Sequence, residues 1–157
     1  MRSPIFMAAQ LTLLLLVVAM PAQADHDSGE IEAIIGQLED NRRQVVDENM
    51  ALDASAADDF WQVYDRYRGE MRELQLQGFT LLREFKAHFD ELTDERATQV
   101  MSTYFDLQTQ ELAIRERYIE SFNDALSPKD TLRLYQIENK IDAIIQSDVS
   151  AVTPLVP

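Results

Sequence analysis

The chain has 157 residues, no cysteine, and 28 acidic against 14 basic residues, for a net charge of −14. That length fits a single domain. The lack of cysteine excludes thiol catalysis, disulfide exchange and cysteine-ligated zinc, and the acidic excess disfavours nucleic acid and anionic lipid, leaving basic proteins, cations or partly unfolded chains as partners.

Residues 1–24 read as a secretory signal peptide. Arg2 supplies the positive start, the run Leu11 to Met20 the apolar core, and Ala22-Gln23-Ala24 the small residues at a cleavage site. The run is shorter than a membrane span, and no later stretch reaches that length. The expected mature chain begins at Asp25, with no stable membrane insertion. Thirteen basic and 28 acidic residues give it a net charge of −15. No cysteine stands at the cleavage site to take a lipid.

After the signal, helix breakers are few: Gly29, Gly36, Gly69, Gly78, Pro128, Pro154 and Pro157. That scarcity favours long helices. A first helix is expected over about Ser28 to Asn49, with Ile31, Ile34, Ile35, Leu38, Val45 and Val46 on one face. Leu52 to Ser55 breaks it, and Ser55 is the expected N-cap of the next helix, with Asp58 as its capping-box partner.

The second helix carries the clearest pattern. Phe60, Tyr64, Tyr67, Met71, Leu74, Gly78, Leu81, Phe85, His88 and Leu92 alternate spacings of 4 and 3, a heptad seam. A helix of ~36 residues carrying it would be ~54 Å long. Thr93-Asp94-Glu95 reads as a turn and a new N-cap. The third helix then runs to about Leu126 with a second seam, Met101, Phe105, Gln108, Leu112, Arg115, Ile119, Phe122 and Leu126. Joined by a tight turn, the two helices make a long antiparallel hairpin.

Ser127-Pro128-Lys129-Asp130 is a helix start, with Ser at the N-cap and Pro at the first helical position. The fourth helix should bury Leu134, Ile137, Ile141, Ile144 and Ile145, and residues 151–157 read as a disordered tail. The fold expected over 25–150 is all-α: an elongated antiparallel hairpin or bundle of about four helices with heptad-type packing.

Chemistry is thinly signalled. There is no Gly-rich phosphate loop and no nucleophile–base motif, and Glu111, Glu116 and Glu120 read as a solvated helix face, so a non-enzymatic protein is expected. The only histidines, His26 and His88, are weak metal candidates with too few converging ligands, and neither metal nor cofactor is expected. The best candidates for contact with a client or partner are Phe60, Trp61, Tyr64 and Tyr67. Three of these lie on the seam, where core packing competes with binding. Trp61 lies one step off it, and Trp is enriched at binding hot spots.

Three stretches carry a family likeness. Residues 52–67, opening Leu52-Asp53-Ala54-Ser55 and closing Tyr64-Asp65-Arg66-Tyr67, resemble the helix-opening segment of Spy/CpxP-like periplasmic helical proteins. Leu92-Thr93-Asp94-Glu95-Arg96 and Leu126-Ser127-Pro128-Lys129-Asp130 resemble the LTxxQ motif of that group, with Arg96 and Asp130 where the motif has Gln. Arg133 to Lys140 is similar to the last helix of related proteins. The resemblance implies a periplasmic all-helical hairpin protein, often dimeric, acting in envelope stress as an ATP-independent holding chaperone for unfolded or envelope proteins. Its alternatives are a regulatory accessory docking on an envelope signalling protein, or a metal-responsive sensor. Chaperone and inhibitor members present a basic concave face, whereas this chain is acidic. Apolar surface beyond one hairpin's core makes a homodimer the expected state.

Overall fold

The computed structural model describes residues 28–156, with side chains from Gln37 onward except those of Ala54, Ser55 and Val152. The signal peptide, the Asp25 start and His26 lie outside the described residues, as do the side chains of Ile31, Ile34 and Ile35. Four helices follow in order: α1 Ser28–Met50, α2 Ala54–Ala87, α3 Asp94–Ala125 and α4 Pro128–Val152, with a single 3-10 turn, Phe89–Glu91, between α2 and α3. Each packs on the next, and α4 closes back on α1, so the fold is an all-α bundle. Among the described residues there is no strand, and no helix is long and apolar enough to cross a membrane.

Local capping sets the helix starts. Thr93 Oγ1 accepts from the Arg96 N–H at 3.2 Å to open α3, and Ser127 Oγ accepts from Asp130 N–H at 3.2 Å to open α4, with Pro128 in the first turn. Both satisfy N–H groups that the helix itself cannot. At α2 the cap is Asp53 rather than the expected Ser55. Its carboxylate accepts from Ala56 N–H at 3.1 Å. A carboxylate at the positive helix end gains from the helix dipole as well as from the hydrogen bond, so the helix starts two residues earlier. The elbow before it turns on Ala51, whose φ of 48° lies in the left-handed region at a cost of roughly 1–2 kcal/mol.

The α2 seam ends before its sequence pattern does. The helix stops at Ala87, so His88 and Leu92 fall beyond it. His88 is the C-cap: its N–H donates to the carbonyls of Glu84 and Lys86, and its ring Nδ1 lies 3.0 Å from the Glu84 carbonyl. It is exposed, not half-buried in a seam.

The core gathers at one end of the hairpin. Val46 and Met50 of α1, Phe60, Val63, Tyr64, Tyr67 and Met71 of α2, Ile114, Tyr118 and Phe122 of α3 with Leu126 at its C-cap, and Leu134 of α4 form one cluster. Beyond Met71 on α2 and before Leu107 on α3 no side chain is buried. In α4, Ile137 and Ile141 pack partly on the cluster, but Ile144 is exposed. The helix also runs two residues into the segment expected to be tail.

The third helix departs most from expectation. It buries Leu107, Ile114, Tyr118 and Phe122. Of the heptad seam only Phe122 and Leu126 are buried, while Met101, Phe105, Leu112 and Ile119 are 44–63 % exposed. At 100° per residue those four lie within about 40° of one another, roughly 140° round the helix from Leu107 and Ile114. The helix therefore has two apolar faces, and the bundle covers one.

Candidate functional site

Phe60, Tyr64 and Tyr67 are closed inside the core. Phe60 meets Trp61, Tyr64 and Phe122 at ring separations of 4.8, 5.5 and 6.2 Å, and Tyr67 packs edge-on to Tyr118 and Phe122, both at 5.5 Å. Offset and edge contacts of this kind add about 0.5–1.5 kcal/mol per pair beyond burial. Trp61 keeps partial exposure, yet it too has neighbours: the Arg43 guanidinium of α1 stacks 4.0 Å over its ring, and Arg43 pairs with Asp65. Trp61 thus braces α1 against α2.

Against this cluster lies a feature the sequence reading missed, a buried ionic network drawn from all four helices. Glu138 of α4 has no solvent exposure. Its carboxylate accepts from Arg42 Nη1 of α1 at 2.7 Å, from Tyr64 Oη of α2 at 2.8 Å and from Arg68 Nη1 of α2 at 3.3 Å. Arg42 also donates to Asp142 at 2.6 Å, and Arg68 grips Glu39 through Nε and Nη2 at 2.9 and 2.5 Å. On the α3 side Arg115 bridges Glu111 and Asp142 and donates to Asn139 at 2.9 Å. Tyr135 Oη donates to the Arg115 carbonyl at 2.6 Å.

The titration of these groups follows from burial and charge. Burial alone would lower the Arg42 and Arg68 guanidiniums, but their carboxylates hold both above the ordinary value. Burial alone would raise the Asp142 carboxyl, but Arg42 and Arg115 hold it below its ordinary range. Burial raises the Tyr64 phenol, with the Glu138 charge adding to it, and burial pushes Tyr135 up to about 12. Tyr67 Oη is buried without a hydrogen-bond partner, and its titration is likewise raised by burial.

Such an arrangement satisfies its own charges. Every carboxylate in it is held by guanidinium or hydroxyl donors, so it fixes helix positions rather than presenting a free acid or base. Two local signs were available. Arg42 continues the apolar row of Leu38, and Glu138 sits between Leu134 and Ile141; a charge on an apolar face needs a buried partner.

The other candidates lie apart. His88 is at the far turn of the hairpin, and among the described residues no three His, Asp or Glu side chains converge as metal ligands. Glu111 is bound to Arg115, while Glu116 and Glu120 are exposed. The outer half of the hairpin is more distinctive. Leu74 to Leu82 on α2 carries no charge, and Ala97 to Gln110 on α3 carries only Asp106, in a chain 27 % charged. An open groove runs there, lined by Leu76, Gln77, Thr80 and Leu81 with Thr103 across from them and Glu73 and Glu84 at its rim. No protein family, curated protein or solved structure matches the chain.

Proposed function

We propose that this protein is a non-enzymatic binding protein of the periplasm that holds partly unfolded or envelope proteins without ATP, as its Spy/CpxP-like motifs imply. The observation that supports this most is the outer half of the hairpin. It is depleted of charge, buries only Leu107 at its inner edge, and keeps Leu76, Phe79, Leu81 and Phe85 half covered. Depletion of charge with enrichment of Met and aromatic residues is the composition of a binding surface. The closed aromatic core and its ionic network form the rigid base for that surface. The net charge of −14 favours basic clients, through contacts that salt weakens.

Aggregation suppression tests this reading. Equimolar protein should slow aggregation of several unrelated unfolding proteins without ATP, better at low than at high ionic strength. Leu76→Glu, at the groove, should lose most of that effect while keeping its helical circular dichroism. If no client is protected at equimolar protein and low salt, the holding reading falls. Tight binding to one envelope partner would then favour a regulatory accessory.

A further inference from the structure

We propose that the open groove on the outer half of the hairpin takes one short extended segment of a client, an apolar residue bracketed by two basic ones in the pattern Lys-x-Leu-x-Lys, with Glu73 and Glu84 selecting the two bases. This rests on the holding reading above and names what is held. Glu73, Gln77, Thr80 and Glu84 follow one another on α2 at spacings of 4, 3 and 4, so they form one row along the helix. The row is acidic at both ends and neutral between. Leu76 and Leu81 lie beside it, and Thr103 of α3 faces it across the groove. The two carboxylate positions are ~16.5 Å apart along the helix axis, at 1.5 Å per residue.

Size, hydrogen bonding and charge each limit the occupant. The groove holds about 330 Å³, at the small end for ligand sites. That takes a few residues of extended chain and excludes a helix 10–12 Å across. Its polar groups are unspent. Thr98 and Thr109 of α3 turn their hydroxyls back to the carbonyls of Asp94 and Phe105, whereas Gln77, Thr80 and Thr103 make no side-chain hydrogen bond among the described residues. An extended backbone brings N–H and C=O groups that a helix has already paired, and these side chains can meet them. The charge in the groove is of one sign. No basic residue lines it, Glu73 has no ion pair among the described residues, and Glu84 meets Arg96 at 3.4 Å with both exposed. A surface pair of that kind is worth about 0–1 kcal/mol, so a client's lysine can displace it.

Extended geometry then sets the pattern. Side chains on one face recur every second residue, ~6.8 Å apart. Lysines four residues apart therefore stand ~13.6 Å apart on the face of the leucine between them, and their flexible four-carbon stems cover the remaining reach to Glu73 and Glu84. Net charge attracts a basic client anywhere on the surface, whereas the groove distinguishes how the bases are spaced.

Fluorescence anisotropy at low salt tests this with labelled peptides. One contains Lys-Ser-Leu-Ser-Lys, a second has the same residues with both lysines adjacent at one end, and a third has glutamate in place of each lysine. The spaced-lysine peptide should bind about two- to fivefold tighter than the adjacent-lysine one and about tenfold tighter than the glutamate one. Glu73→Gln and Glu84→Gln, at exposed positions, should each weaken it about two- to fivefold while keeping the helical spectrum. The double variant Glu73→Lys, Glu84→Lys should reverse the preference and favour the glutamate peptide. Equal binding of the two lysine peptides, or a lysine preference that survives the double reversal, would overturn the proposal. So would tighter binding of a helical peptide whose lysines stand eleven residues apart. The peptides read the groove and aggregation suppression reads holding. A protein that protects clients but ignores the spacing loses the groove assignment and keeps the holding reading; one that reads the spacing but protects nothing keeps the groove and loses the holding.

Discussion

Replacing Glu138 by Gln should be among the most damaging isosteric changes available in this chain. The side chain keeps its shape but loses the charge that Arg42, Arg68 and Tyr64 all donate to. An amide can accept from one side only, and it turns its own N–H donors toward a guanidinium or the phenol. Removing one partner from a buried ion pair costs about 3–5 kcal/mol, because the remaining charge stays buried. Arg42 keeps Asp142 and Arg68 keeps Glu39, so the lower end applies, about 3 kcal/mol. For a bundle of this size that is roughly 10 °C in Tm. Urea unfolding followed by circular dichroism measures it. The control is the triple variant Arg42→Met, Arg68→Met, Glu138→Leu, which removes the buried charges together. Glu39 and Asp142 are partly exposed and can take water, so the triple variant should recover most of the loss. A Glu138→Gln protein within about 1 kcal/mol of the parent, or a triple variant worse than the single, would refute the argument.

Three further outcomes are expected. Tyr67→Phe removes a buried hydroxyl that has no partner, so it should be neutral or stabilise by up to about 1 kcal/mol in the same urea assay, where loss of a satisfied hydroxyl would destabilise. Gly78→Ala should raise stability by about 0.5–1 kcal/mol, because a Cβ there meets nothing within 4 Å and Ala is the better helix former. The Asp142 carboxyl sits below its ordinary 3.8 in the folded bundle, so its contribution is full above about pH 4 and is lost as pH falls through the folded value. Unfolding free energy should drop as pH falls below about 4, and Asp142→Asn should flatten that drop.

The parts of the fold legible in the sequence are those fixed by neighbours in the chain. Thr93 and Ser127-Pro128 mark helix starts because capping acts over three residues. The α2 seam reads correctly from Phe60 to Met71 because those side chains all meet the same core. On α3 the same rule selects the wrong face. Met101, Phe105, Leu112 and Ile119 have the more regular spacing, but spacing shows only that a stripe is apolar, not which neighbour covers it. Leu107, Ile114, Tyr118 and Phe122 are covered because α2 and α4 lie on that side. The ionic network was only half legible for a related reason: the apolar rows mark Arg42 and Glu138 as charges that need partners, but the two are 96 residues apart and neither marks which partner it takes.

That separation bears on how the bundle forms. The α2–α3 hairpin closes shorter loops than the α1–α4 pair does, since Tyr67 meets Tyr118 and Phe60 meets Phe122, so it can assemble before α1 and α4 dock. The Arg42–Glu138 and Arg42–Asp142 bonds join residues 96 and 100 apart and need α1 and α4 docked together. Charges that pair only at that stage lie on the native side of the folding barrier. Removing them should leave the refolding rate nearly unchanged and speed unfolding. The network then acts as the bundle's kinetic lock, setting how long a folded molecule stays folded more than how fast it gets there.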